Sequence, residues 1–346
     1  MPPTRPSGTS FIARAQGPGR VALGRGPGMA LPVLLIAAGA LCPLPVRAWP
    51  ERPVTLVIPF APGGAADAAM RVIGPRLSRH LGHPVVVENK PGAGGVVGTQ
   101  FVARATGDGH TQLVGSAGNA ITSALSTQLP YDFEKDLLPV TQIASVPGVL
   151  VVQSSLPVKS VKDLVALLKA EPGARSFGSP GQGTSVHMAG ELFQHMTGTR
   201  MLHVPYRGAS NALTDLLGGQ LDLMFPALAA AQPYIKSGKV RALAVTGKAR
   251  TSLAPDLPTV AEAGIPHYEV GAWIGLFAPA GIAQPVVDRA QGAMGKVLAE
   301  PDTSRALLAI GVEPQHGTQA EFRQLVRAET ARWAGLIREM KTRGTL

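Results

Sequence analysis

An α/β protein with largely parallel sheets is predicted, in two lobes between which the chain crosses more than once. Three observations predict it. From Trp49 onward, apolar runs of strand length alternate with segments whose apolar residues recur at helical spacing. Glycine turns join strand to helix at several of these junctions. No linker or low-complexity stretch marks a single boundary in 346 residues, which two lobes threaded more than once explain. Hydrophobic residues make up 45% and charged residues 16%, the balance of a globular chain with a full core rather than a disordered one.

Residues 1–48 read as a segment apart. Arg5, Arg14, Arg20 and Arg25 precede the apolar run Met29 to Leu41, and Val46-Arg47-Ala48 ends it with small residues two apart. A basic lead, an apolar middle and a small-x-small end describe a cleavable secretory signal peptide. The run is short for a membrane span. Its prolines, Pro32, Pro43 and Pro45, argue against a buried helix of the mature domain. Met29 offers a second start that would drop the arginines. Cys42 follows Leu41 where a lipoprotein signal wants a small residue, so no lipid anchor is read there.

Setting this segment aside changes the charge. The net +10 of the full chain becomes 27 bases against 22 acids, scattered without a Lys/Arg block, so no nucleic-acid partner is expected. The single cysteine leaves with the signal. A mature chain without thiols has no disulfide, no catalytic cysteine and no cysteine-based metal site, and suits an oxidising periplasm.

The elements follow in order. Val54–Ile58 is a strand, and Ala69, Val72, Ile73, Leu77 and Leu81 then recur as a helix face. "HPVVVEN" is a second strand, with "KPGAGGVVGTQFVARA" turning into a helix. "HTQLVG" is a third, entering "SAGNAITSAL". Residues 150–153 are strand-like. Ser160 and Asp163 form a capping box for a helix buried through Val161, Leu164, Val165 and Leu168. "RSFGSPGQGTSVHMAGELFQHM" repeats strand, turn and helix, and "MLHVPY", "QLDLMF" and "VRALAV" are further strands. A short helix begins at Ser210. Beyond Pro285 the chain is mostly helical, with Phe322, Leu325, Val326, Trp333, Leu336 and Ile337 as a docking stripe.

Three junctions carry the chemistry: Pro62-Gly63-Gly64, Gly115 to Asn119, and Gly178 to Ser185. In an open sheet such turns lie at the carboxyl ends of strands, where ligands bind. Helix N-termini hold unpaired N–H groups and partial positive charge, which attract carboxylate or phosphate. Ser116, Thr184 and Ser185 add hydroxyls. Each turn alone equally serves a purely structural role; three together point to one anion-binding cleft. Asp67, in the first turn after Gly64, reads as an acid placed favourably at a helix N-terminus.

Other chemistries fit poorly. "PGAGGVVG" has glycines after a strand, but its spacing departs from the dinucleotide fingerprint, and Asp108 lies in a turn instead of at a strand end. No G-x-x-x-x-G-K-[ST] exists, so no nucleotide cofactor is expected. His187 and His195 share a helix eight residues apart, and no His pair has metal-ligand spacing. Ser185 beside His187 invites a hydrolase, but no G-x-S-x-G elbow surrounds it. Tyr206, Arg207 and Trp273 are candidate cleft walls, with core or surface roles as the alternative.

In order along the chain, "IPFAPGGAADAAMR", "VVVENKPGAGGVVG", "ATGDGHT", "LPYDFEKDLLPVT", "GQGTSVHMAGELF", "HVPYRGASNALTDLLGGQLDLMF", "GKVRALAV" and "LPTVAEAG" resemble the Bug-type receptors. These are the extracytoplasmic solute-binding proteins of tripartite tricarboxylate transporters. The resemblance implies a two-lobed periplasmic-binding fold of type II with the ligand cleft between lobes. Residues 49–149 with 271–346 would form one lobe and 150–270 the other. It implies binding rather than catalysis, a small carboxylated solute, no cofactor, a monomer, and two membrane subunits as partners; a sensory role beside a membrane kinase is the alternative. Carried onto this chain, the ligand-binding positions are Phe60, Ala61, Gly63, Gly64 and Ala65, then Ser116 and Asn119. Gly183, Thr184, Ser185 and His187 follow in the second lobe, with Tyr206 and Gly208 opposite. Main-chain N–H groups and ordered waters would pinch the carboxylate. Ala65 departs from the pattern, which often has a hydroxyl residue there, so one donor is lost.

Overall fold

The computed structural model describes residues 49–126, 128–342 and 344. The expected signal peptide, with Cys42 and both candidate starts, lies outside the described residues. Among those described, no helix is long and apolar enough to cross a membrane.

The chain opens as its periodicity predicts, with β1 (Val54–Ile58), α1 (Ala65–Leu81), β2 (Val85–Asn89), α2 (Val96–Ala103), β3 (Thr111–Ser116) and α3 (Ala117–Leu125). Next comes β4 (Leu137–Val146), a ten-residue strand absent from the predicted set. Pro139 interrupts its apolar pattern, and the ladder to the neighbouring strand shifts register opposite it. The middle of the chain forms β5 (Val149–Gln153), α4 (Val161–Ala170), β6 (Ser176–Ser179), α5 (Ser185–Thr197), β7 (Leu202–Pro205), α6 (Ala209–Leu217), β8 (Leu223–Met224), α7 (Leu228–Lys236) and β9 (Val240–Val245). Ser160 caps α4 by accepting from Asp163 N, and the Asp163 carboxylate accepts from Lys159 N at 3.0 Å. The return brings β10 (Ala272–Pro279), α8 (Gln284–Ala299), α9 (Pro301–Ala309), β11 (Glu313–Pro314) and α10 (Gln319–Thr342).

These strands build two sheets, ordered β11-β4-β10-β3-β1-β2 and β7-β6-β8-β5-β9. The expectation of largely parallel sheets is corrected. β1 runs parallel to β2 and β3, and β6 to β7 and β8, but β10 is antiparallel to β3 and β4, and β5 to β8 and β9. The cause is the double crossing. β1, β3, β4, β6, β8 and β9 end beside the other sheet. A strand received from that sheet starts at the same edge and must run away from it, so β5 and β10 oppose their neighbours.

Helices cover both faces of each sheet, as an α/β layer requires. On the first sheet, Met70, Ile73 and Leu77 of α1 pack with Met294 and Val297 of α8. Its other face holds Val102, Phe133, Trp273, Phe277, Phe322 and Val326. The second sheet is covered by Leu164 and Leu168 of α4 with Met188, Leu192 and Phe193 of α5, and by Leu213, Leu216, Leu228 and Ala231 on its reverse. The long helix α10 serves both cores. Phe322 and Val326 join the first, and Trp333, Ile337 and Met340 join the second. Phe322 lies against the bare backbone of Gly275, where a Cβ would come within 2.0 Å of its ring.

Candidate functional site: a cleft between two sheets

The facing edges of the two sheets enclose a cavity of about 280 Å³, just below the ~300–1,000 Å³ common for small-molecule sites. Four helices begin at its wall: α1, α3 and α5, whose first two residues line it, and α7, whose N-cap Ala227 lines it while Leu228 N donates to Pro147 O. In α1 the N-cap is Gly64, which has no side chain to offer, and Gly63 before it takes φ +88°, a conformation that favours glycine. Asp67 closes this turn: its Oδ2 accepts from Gly63 N at 3.0 Å and from Arg71 Nε at 3.0 Å. Burial pushes the Asp67 carboxyl up, but the Gly63 amide and the Arg71 guanidinium outweigh it and hold it below the usual carboxylate range. The buried acid is therefore ionised, and its charge is turned onto the loop and Arg71.

Helix α5 repeats the device with other residues. Gly183 takes φ +77°, and its N–H donates to His187 Nδ1 at 3.2 Å. Thr184 is the N-cap: its Oγ1 accepts from His187 N and donates to Gly181 O. In both turns a side chain at the third helical position ties down the amide just before the cap. In α3, Ser116 N donates to Asn119 Oδ1 at 2.8 Å. Asn119 Nδ2 in turn donates to Thr99 Oγ1, which donates to Gly95 O, fixing α3 to the second glycine turn.

The first N–H groups of a helix have no intrahelical acceptor. Here they belong to Ala65 and Ala66 in α1, Ala117 and Gly118 in α3, and Ser185 and Val186 in α5. All six residues line the cavity. Among the described residues, Asp67 is the only charged one that lines it, and no lysine, arginine or histidine does.

Of the positions carried over from the sequence, Phe60, Ala61, Gly64, Ala65, Ser116, Gly183, Thr184 and Ser185 line this cavity. Five do not. Gly63 and Asn119 shape the turns from behind it. His187 lines a separate groove beside the cavity, with Glu191, His203 and Lys341. Its Nδ1 takes the Gly183 amide and its Nε2 lies 3.5 Å from Glu191 Oε1, so neither nitrogen is turned to Ser185. Tyr206 and Gly208, expected opposite the Gly183–Ser185 turn, do not line the cavity. Tyr206 donates its hydroxyl to Asp215 Oδ2 at 2.7 Å, and burial together with that carboxylate pushes its pKa up to about 12. Gly208 is the N-cap of α6.

Sequence reasoning missed the remaining wall. Val146, Phe225, Val270, Ala272 and Ile274 come from strand ends and connections, and apolar strand ends carry no binding signal. Thr246, also in the wall, donates its hydroxyl to Val270 O at 2.9 Å. Trp273 is both wall and core: it lines the cavity, packs edge-on against Phe322, and leaves Nε1 without a hydrogen-bond partner.

Comparison with known proteins agrees with this architecture. Residues 69–342 match the family described as Tripartite tricarboxylate transporter family receptor. The chain is 40% identical over 295 residues to the UPF0065 protein in the tcbD-tcbE intergenic region of Pseudomonas sp. strain P51, covering 85% of this chain and 88% of that protein. It superposes on the periplasmic binding protein BugD with a TM-score of 0.76 at 35% identity, covering 86% of this chain and 99% of that one. The R. palustris protein Rpa4515 with adipate gives 0.77 at 37% identity, covering 86% and 98%. The fold is thus the two-lobed α/β fold of periplasmic binding proteins, and the chain belongs to the tripartite tricarboxylate transporter receptor family, the Bug-type receptors that its motifs resemble.

Proposed function

We propose that this protein is a periplasmic receptor that captures a small carboxylated solute between two lobes and delivers it to a transporter with two membrane subunits. The lobes are residues 49–149 with 271–346, and 150–270. One observation carries the reading: the first two residues of α1 and α3 from one sheet, and of α5 from the other, whose amides have no intrahelical acceptor, line one cavity with no basic residue in its lining among the described residues. Several neutral N–H donors hold a carboxylate strongly, and without a buried ion pair they release it readily. Capture is by hinge closure rather than chemistry. The two crossings that would flex lie side by side, since Thr246 N donates to Gly148 O and Val270 N to Thr246 O. Both ring nitrogens of His187 being engaged away from Ser185 counts against a hydrolase.

A thermal-shift screen of mono- and dicarboxylates tests this. A binding carboxylate at a hundred times its Kd should stabilise the protein by ~2.7 kcal/mol. A screen in which no carboxylate raises the melting temperature, while a nucleotide or sugar does, refutes it.

A further inference from the structure

The cavity has two chemically different halves, and the strand order says how they lie. On the first sheet the α1 and α3 turns follow β1 and β3, with β10 and β4 next in line. Adjacent strands are ~4.8 Å apart, so the wall from β1 to β4 spans about 14 Å. On the second sheet the α5 turn follows β6, and β8, β5 and β9 lie beyond it. The short link Pro147-Gly148 joins β4 directly to β5, so the far sides of the two sheets meet at the crossings. The first two residues of α1, α3 and α5, whose amides lack intrahelical acceptors, therefore gather toward one side, with α3 nearest the crossings, whereas the α7 start at Ala227 lies on the crossing side with Leu228 N taken by Pro147 O. The crossing side is walled by Val146, Phe225, Ala227, Val270 and Ala272, and Ile274, paired with Ser116, marks the border between the halves.

Side-chain donors are scarce on that side. Of its lining residues only Thr246 and Trp273 carry one. The Thr246 hydroxyl is already spent on Val270 O, so it presents lone pairs to a ligand. The Trp273 indole is neutral. A carboxylate placed there would lose its hydration without a countercharge, which is costly in an apolar wall. A methyl, methylene or ring would gain from leaving water.

We infer that the solute is an amphipathic monoanion, with one carboxylate at the three helix starts and an apolar body against the crossing strands. This rests on the receptor reading above and narrows it, setting this chain apart from a receptor that takes both ends of a dicarboxylate.

Isothermal titration of the mature protein with hexanoate, adipate and hexanamide tests it, because adipate replaces only the terminal methyl of hexanoate by a second carboxylate. Hexanoate should bind roughly tenfold or more tighter than adipate. Each methylene from propanoate to hexanoate should tighten binding about three- to fourfold. In Ala272→Lys, a cation at the crossing side should move the adipate-to-hexanoate ratio toward adipate. Adipate binding as well as or better than hexanoate overturns the inference and leaves the receptor reading intact. So does a chain-length series with no trend, or an unchanged ratio in Ala272→Lys. Hexanamide binding with neither acid binding overturns the receptor reading itself.

Discussion

Replacing Asp67 with asparagine removes the charge that closes the first glycine turn while keeping the side chain's shape. The native carboxylate, only 4% exposed, takes Gly63 N and both Arg71 Nε and Nη2. Asparagine keeps one oxygen for these donors and turns an NH₂ toward the rest. Three losses add. The Gly63 bond drops from charge-assisted to neutral, about 1 kcal/mol. A negative group in the first turn of α1 goes, about 0.5 kcal/mol. The ion pair with Arg71, itself two-thirds exposed, contributes about 0.5 kcal/mol. Asp67→Asn should thus destabilise the protein by about 2 kcal/mol at neutral pH, read from urea unfolding midpoints. The pH dependence identifies the cause. A carboxyl held below its ordinary value contributes stability that is full above that value, about 4, and is lost as pH falls through the lower folded one. The gap between wild type and Asp67→Asn should therefore be constant from about pH 5 to 8 and shrink below about 4. Equal stability at pH 7, or a gap undiminished at pH 3, would show that packing and not charge holds this turn.

Three further outcomes are expected. Gly183→Ala forces a side chain into φ +77°, with its Cβ 3.2 Å from Leu125 Cδ1; it should cost about 1–2 kcal/mol and weaken solute binding, measured by denaturation and titration together. His203 is held neutral by burial and by His187 beside it, its pKa lowered from 6.5 to about 4. The unfolded chain therefore binds the proton first, so stability should be full above about pH 6.5 and fall toward pH 4. Allowing for solvent screening of this half-buried ring, the loss is about 1–2 kcal/mol, and it should be absent in His203→Gln when melting temperature is followed against pH. Gly275→Ala should cost about 3 kcal/mol by driving a methyl into the Phe322 ring, and Phe322→Leu in the same chain should recover part of that loss in a double-mutant cycle.

Paired glycine turns also constrain how the site tolerates change. Asp67 and His187 hold equivalent amides, Gly63 N before α1 and Gly183 N before α5, by different chemistry, one through a carboxylate and one through a ring nitrogen.

What the chain determines locally was legible without coordinates. Strand runs such as Val54–Ile58, the helix faces of α1, α4 and α10, and the glycine turns before α1, α3 and α5 follow from periodicity, propensity and the absence of side chains at turns. These are short-range properties, settled within a few residues. Other features needed the tertiary structure. Pro139 hides β4 despite the β-branched Val140, Thr141, Ile143 and Val146, and pairing with β10 and β11 on either side carries the strand past it. The antiparallel course of β5 and β10 follows from where the other sheet hands the chain over. His187 and Tyr206 sit in motif positions, yet Gly183 N and Asp215 claim their polar atoms. The apolar half of the cavity is built from Val146, Phe225, Val270 and Ile274, ordinary core residues until strands far apart in sequence bring them to one gap. Local sequence specifies which backbone groups are left unpaired; only the packing of two sheets decides what those groups face.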